Sequence, residues 1–425
     1  MMLVTGGIPS GEDFYEGRRK YIQILAGQIQ KQEVALIGPR RTGKTSIIHA
    51  YFEQLESSNE RIPLYINLES CSTPYDIITE IGKKLLEQKS GLRAIFNNAT
   101  EKANEWATQI KEHFDSVDLT HESGSSLKIK LRHVSVSKLE ALGFEFKKLC
   151  GSTEKNIVIA LDELPEAIWK YVNKDFNKED RESRINHIGI LLSFFRDIRQ
   201  TNKASGKLRV IYSGSINFVL TLKKLGFAED HNDLAHFSIP FLTVEETKDV
   251  ANQLVKGEKI QISDQSFFQK IMEEQFGNTT PYYVQLYIEQ LKNIVQAKSI
   301  GHKITNEDMV RAFQYVLSAE FGPEYFYRRI EAYHSENKDS ILNILKFMAT
   351  KQSTSGLPTS VEDLSSILTP ASLLEIEDLL RELFVEDFFQ LAEEISLDKI
   401  FSESNKYYFA SNIIKNYWVK KLKNF

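Results

Sequence analysis

Cysteine is nearly missing from this sequence: Cys71 and Cys150 are the only two in 425 residues. They stand far apart and match no metal-ligand spacing, so a disulfide framework and a cysteine-bound metal are both unexpected, and free thiols fit a reducing compartment. Nothing approaches the run of roughly eighteen apolar residues that a membrane-spanning helix needs. The opening MMLVTGGIPSGEDF has no basic stretch followed by an apolar one, so no secretory leader is expected and a cytoplasmic location is. The nine histidines form no ligand pattern; His231 and His236, five apart, sit on a polar stretch. Positive charge is not in excess either. The formal net charge of −5 denies the molecule a general attraction for nucleic acid or anionic lipid and leaves only local patches. Low-complexity tracts and internal repeats are also lacking.

What is present is ordinary globular material, 42% hydrophobic and 26% charged, in a chain long enough for two or three domains. Four short apolar runs, rich in β-branched and aromatic residues, read as buried parallel strands: EVALIG (33–38), IPLYINL (62–68), NIVIALD (156–162) and LRVIYSG (208–214). Helical patterns alternate with them, which predicts an α/β core over residues 1–241. An insertion at about 85–150 interrupts it. Alternation on both sides of Gly124-Ser125-Ser126 predicts a β-hairpin in the insertion, with two helices before it, TPYDIITEIGKKLLEQ and NATEKANEWATQIKEHF, and another, SKLEALGFEFKKL, after. Residues 242–334 read as a small helical domain. Residues 335–425 read as three helices and a hairpin, which is a winged-helix arrangement.

The first strand runs into Gly38-Pro39-Arg40-Arg41-Thr42-Gly43-Lys44-Thr45-Ser46 and then a helical pattern. This is G-x-x-x-x-G-K-[ST] between a strand and a helix, the phosphate-cradling P-loop. Its glycines let successive backbone N–H groups face phosphate oxygens at a helix N-terminus. Lys44 is placed to neutralise the β- and γ-phosphates, and the Thr45 hydroxyl to ligate Mg²⁺. The expected ligands are therefore ATP and Mg²⁺.

The third strand ends in Asp162-Glu163. A carboxylate at the C-terminal tip of a buried parallel strand faces the crevice where such sheets bind ligands. Asp162 is expected in the Mg²⁺ shell, and Glu163 is expected to orient or deprotonate a water, which points to hydrolysis. Ser213, at the tip of the fourth strand, either senses the γ-phosphate or merely precedes a glycine turn. Arg196 and Arg199, one turn apart in SFFRDIRQ, are candidates for an arginine finger acting in trans, against the plainer role of pairing with acids.

The segment from Gly38 to Ser46 resembles the P-loop of prokaryotic archaeal-type ATPases of the STAND/AAA+ kind, in which paired arginines recur. Four further segments agree in order. Phe14 to Arg18 resembles the family's F-x-G-R lead-in with one extra residue, SFFRDIRQ with VIYSGSI resembles its helix and Gly-Ser strand end, Gly277 to Tyr283 resembles its lid-helix G-x-P motif with extra residues, and Lys406 to Trp418 resembles the end of its winged helix. The resemblance implies adenine contacts at Gly17, Arg18 and Pro281. It also implies a sheet with the P-loop strand central, a helical lid, and a nucleotide-dependent closure. Such proteins act as switches or assembly platforms, and bacterial relatives occur in defence and mobile-element settings.

Two functions follow. One is a regulatory ATPase switch that assembles with itself or a protein partner and exchanges ATP and ADP. The other is a DNA-binding initiator or loader using the winged helix. Against DNA, the helix ASLLEIEDLLRELF places Glu375, Glu377, Asp378 and Glu382 beside a single Arg381, and acids on a groove-facing helix repel phosphates. For it, Lys406, Lys415, Lys420, Lys421 and Lys423 accumulate among Tyr407, Tyr408, Tyr417 and Trp418. An amphipathic terminal helix explains the same pattern. DNA is the less favoured partner, and a phosphotransferase is disfavoured because no acceptor site is evident.

Overall fold

The structure is a computed structural model. It describes residues 15–58, 60–87, 120–122, 126–128, 156–173, 180–202, 206–214, 218–227, 229, 232–298, 301–318, 337–368 and 406–422, together with 327, 330, 376, 379, 380, 383 and 389–391. The chain forms two compact units. One comprises Arg19–Arg40 and Lys44–Ser238; the other takes in the chain up to Arg18, Arg41–Gly43 and Ile239–Phe425.

The first unit is built on a parallel sheet of β1 (Val34–Ile37), β2 (Arg61–Asn67), β5 (Asn156–Asp162), β6 (Leu208–Ser213) and β7 (Ala235–Ser238), in the order β2-β5-β6-β1-β7. All six residues of β6, and the six of β5 after Asn156, are buried. That is why those runs are apolar on both faces. The four runs read from sequence all form strands. β7 was not anticipated, because it is four residues long and buries only Phe237. The P-loop strand β1 is interior, flanked by β6 and β7; β6 holds the middle position. At the other end of the sheet, β2 pairs with β5 alone among the described residues and carries Pro63 in register with Val158.

Helices α1 (Arg19–Lys31), α2 (Lys44–Ser58), α3 (Pro74–Glu87), α4 (Leu164–Asn173), α5 (Arg181–Asn202) and α6 (Phe218–Lys224) belong to this unit. α1 buries Ile22, Leu25 and Ile29, the one-sided spacing of an amphipathic helix. Cys71 is a buried free thiol, and burial pushes it up to about 12. From the insertion, β3 (Thr120–Glu122) and β4 (Ser126–Lys128) pair antiparallel, as a hairpin around residues 123–125 requires. Of the two helices expected before it, the first forms α3; the second, the helix expected after the hairpin, and Cys150 lie outside the described residues.

The second unit contains α7 (Val244–Gly257), α8 (Gln265–Lys270) continuing into a π-helical turn over Ile271–Phe276, α9 (Pro281–Lys298) and α10 (Asn306–Ser318). Thr243 and Glu246 close a capping box at the start of α7. Then come α11 (Lys338–Ser355), α12 (Val361–Ser365) and α13 (Asn412–Leu422), with an antiparallel sheet of β8 (Thr359–Ser360), β10 (Lys406–Phe409) and β9 (Phe389–Leu391), in that order. A single apolar core, including Phe276, Tyr287, Phe313, Met348, Leu380 and Trp418, runs through both segments. In the third predicted helix of this region, Ile376, Leu379, Leu380 and Leu383 are buried; Glu375, Glu377, Asp378, Arg381 and Glu382 lie outside the described residues. No described helix is long and apolar enough to cross a membrane.

Candidate functional site

β1 delivers the chain to Gly38 at φ 143°, and the loop passes through Arg41 at φ 71° and Gly43 at φ 97° before α2 begins at Lys44. A side chain at Gly43 would meet nothing within 4 Å. Glycine is required there by backbone conformation and not by space. Lys44 is 7% exposed, and its ammonium donates to the carbonyls of Gly38 at 2.7 Å and Pro39 at 2.9 Å. The loop thus folds round its own lysine, with Thr42 buried and Thr45 and Ser46 half-buried on the first turn of α2. The guanidinium of Arg41 lies over the ring of Tyr282, 3.9 Å from its centroid. Stacking of this kind is worth about 0.5–2 kcal/mol, comparable to the strain of about 1–2 kcal/mol of a left-handed residue bearing a side chain.

The Thr45 hydroxyl donates to Asp162 Oδ2 at 2.8 Å, and the Tyr65 hydroxyl donates to the same oxygen at 2.7 Å. Asp162 ends β5 and is 3% exposed. Burial, and then Asp162, hold the Tyr65 phenol far above its ordinary range, so it remains a donor. Glu163 follows at φ 62°, and its carbonyl accepts from Ala167 as α4 starts. The left-handed residue turns the chain sharply off the strand tip.

At the tip of β6, Ser213 is fully buried, and its hydroxyl has no hydrogen-bond partner among the described residues. Behind it a Cβ on Gly214 would lie 2.6 Å from both Glu166 Oε2 and Pro165 Cδ. Only glycine lets β6 approach α4 so closely.

Lys44, Thr45, Asp162, Glu163 and Ser213 therefore sit where strands end or helices begin at the C-terminal edge of the sheet. Gly17, Arg18 and Pro281 lie in the other unit. A Cβ on Gly17 would collide with the Tyr15 ring, 2.6 Å away. Arg18 is 3% exposed, donates to the Pro240 carbonyl at 2.9 Å and lies 3.8 Å from the Glu246 carboxylate. Pro281 opens α9, where its missing N–H is harmless.

Arg199 requires a correction. A finger acting in trans must protrude, but Arg199 is 5% exposed and grips Asp233 through two donors, at 3.1 and 3.0 Å. Burial by itself would lower its affinity for a proton; Tyr212 and Asp233 reverse that and keep it charged. It lines a cavity of about 380 Å³ with Glu33, which precedes β1, and Arg209 near the start of β6. That is the N-terminal edge of the sheet, away from Asp162 and Ser213. Arg196 is exposed and lines the same cavity.

Two contributors were missed in the sequence. Tyr65 pairs across the sheet with Ala160, so Asp162 is its diagonal neighbour on the same face. The signal is an aromatic two positions from the strand end, usable only once β2 is known to pair with β5. Gly214 was read as a turn residue, and its packing against α4 is not visible in one dimension.

The chain matches a protein family described as an AAA domain over residues 30–143. No curated protein matches it. Among solved structures it is similar to the Aeropyrum pernix ORC2 protein, described in ADPNP-ADP complexes, at 9% identity and a TM-score of 0.53, covering 99% of this chain and 96% of that one. Weaker likenesses are the Aeropyrum pernix ORC1 protein in complex with DNA, at 14% identity, TM-score 0.42 and coverages of 98% and 94%, and Cdc6p from Pyrobaculum aerophilum, at 12%, 0.41, 99% and 96%. The strand order and the ORC2 likeness give the first unit the AAA+ P-loop NTPase fold.

Proposed function

We propose that this chain binds ATP with Mg²⁺, hydrolyses it, and works as a regulatory switch or assembly ATPase. The observation that carries this reading is the hydrogen bond between Thr45 and Asp162. It places a hydroxyl and a carboxylate from separate elements beside the anion-binding N-terminus of α2.

The residues suit the ion. Mg²⁺ prefers oxygen ligands and takes one or two protein donors, completing its shell with phosphate and water. Thr45 and Asp162 are such a pair, and no group of three or more His, Cys, Asp or Glu side chains able to hold a metal exists among the described residues. When bound, Mg²⁺ would neutralise charge on the β- and γ-phosphate oxygens. Lys44 exchanges the carbonyls of Gly38 and Pro39 for phosphate oxygens. The N–H groups of residues 40–45 cradle the phosphates, Glu163 orients a water and accepts its proton, and the Ser213 hydroxyl serves the γ-phosphate. Gly17, Arg18 and Pro281 are retained as adenine contacts, and Arg196 as the remaining finger candidate.

The C-terminal segment serves as a winged helix that contacts protein. Tyr407, Tyr417 and Trp418 are 3%, 5% and 2% exposed, so they are unavailable to stack on bases. The Lys421 ammonium is engaged with the Tyr417 hydroxyl at 3.0 Å and lies over the Tyr327 ring. An initiator or loader reading draws support from the near full-length likeness to the ORC2 protein.

The test is Mg²⁺-ATPase turnover against protein concentration, with and without double-stranded DNA, for wild type and Glu163→Gln. Specific activity that rises with concentration and disappears in the variant supports an assembling switch. Stimulation by DNA favours the loader, and tight nucleotide binding without turnover under any condition overturns the enzymatic reading.

A further inference from the structure

Tyr65 is not part of any motif, yet it reaches the carboxylate on which the proposed chemistry turns. In the register of β2 and β5, Tyr65 faces Ala160 and Asn67 faces Asp162. Side chains two positions along the partner strand share a face, and an aromatic is long enough to span the diagonal. Tyr65 does so, with its hydroxyl 2.7 Å from Asp162 Oδ2. On the same face, Thr45 and His49 are one turn apart on α2. Thr45 donates to Asp162, and the His49 ring lies against the Tyr65 ring with centroids 4.4 Å apart. Four side chains from three elements thus form one connected group.

We propose that Tyr65 is a positioning residue for the metal-facing carboxylate: its hydroxyl, braced by His49, fixes the rotation of Asp162 so that the carboxylate and the Thr45 oxygen meet the ion together. The inference rests on the ATP and Mg²⁺ reading above. The Thr45 proton is already committed to Asp162, which leaves the Thr45 lone pairs to face a cation. A second donor on the same carboxylate oxygen keeps Asp162 in place when Thr45 adjusts. Partners that orient a metal-bound carboxylate influence metal affinity although they never touch the metal.

The experiment uses the full chain as wild type, Tyr65→Phe and His49→Ala, with mant-ADP as the probe and Mg²⁺ as the variable. Tyr65→Phe keeps the ring and its packing while removing the hydroxyl. The expected result is equal mant-ADP affinity in EDTA for wild type and Tyr65→Phe, with the Mg²⁺ midpoint of tight binding raised about tenfold in Tyr65→Phe. His49→Ala shifts the midpoint the same way by a smaller factor. In ATP turnover at saturating Mg²⁺, kcat falls and KM for ATP holds.

An unchanged Mg²⁺ midpoint in Tyr65→Phe overturns the proposal. So does equal weakening with and without Mg²⁺, which would mark Tyr65 as merely structural. Failure of the wild type to bind mant-ADP at all overturns the nucleotide reading and this inference with it, and is told apart by the wild-type titration alone.

Discussion

Thr45 Oγ1 lies 2.8 Å from Asp162 Oδ2, although 117 residues separate the two in the chain. The bond ties the first turn of α2 to the tip of β5. The loop that ends at α2 and the strand tip that carries Glu163 are therefore held in one frame by the protein itself. What each residue contributes can be separated by substitution.

Glu163, proposed above to orient a water, also carries backbone strain. Its φ of 62° costs a residue with a side chain about 1–2 kcal/mol, partly offset in a glycine by greater unfolded-state freedom. Glu163→Gly is expected to raise thermal stability by about 0.5–1 kcal/mol, while turnover falls to background. Glu163→Gln should lose turnover and keep nucleotide affinity and melting temperature. Scanning calorimetry beside a phosphate-release assay checks both. A less stable Glu163→Gly would show that the side chain holds the turn.

Ser213 and Gly214 are adjacent and should respond oppositely. The Ser213 hydroxyl has no partner among the described residues, so Ser213→Ala removes an unsatisfied buried group and leaves stability within about 1 kcal/mol. Its turnover should drop about tenfold or more, the usual scale for one lost transition-state contact. Gly214→Ala drives a methyl into Glu166 and Pro165, a steric cost of about 1–3 kcal/mol. Urea unfolding of both variants provides the comparison. An unstable Ser213→Ala with full activity would remove Ser213 from the site.

Asp308 gives the second unit an acid-labile point. Burial alone would raise its pKa, but hydrogen bonds from Lys298, His302 and Thr305 outweigh it and hold the carboxyl well below the usual range. A carboxylate depressed in the folded state stabilises above its unfolded value, near pH 3.9, and that contribution is lost as pH falls through the folded value. Asp308→Asn should cost about 2 kcal/mol at pH 7. The gap from wild type should begin to close below about pH 4. Urea unfolding of both proteins at several pH values measures this, and a gap that widens in acid would contradict it.

Much of the site was legible because its parts are local. The segment from Gly38 to Ser46, and Asp162-Glu163 at the end of an apolar run, need only a strand beside them to be understood. Tyr65 was not legible, because its role depends on which strand pairs with β2 and in what register. Arg199 was misread for a related reason. The periodicity of SFFRDIRQ shows which face of the helix is polar, but not which edge of the sheet that face meets, and Asp233 supplies the partner from 34 residues away. β7 escaped notice because a short strand with one buried side chain leaves almost no hydrophobic signature.

Pro63 bears on how copies of this protein can come together. It sits in β2, whose only strand partner among the described residues is β5. Having no N–H, it interrupts the row of donors that an incoming strand would need. Growth of the sheet from one molecule into the next is thereby discouraged along this side. If copies of this protein do assemble, they are expected to join through surfaces that can release again, and not through a continuous ribbon of backbone hydrogen bonds that would be slow to part.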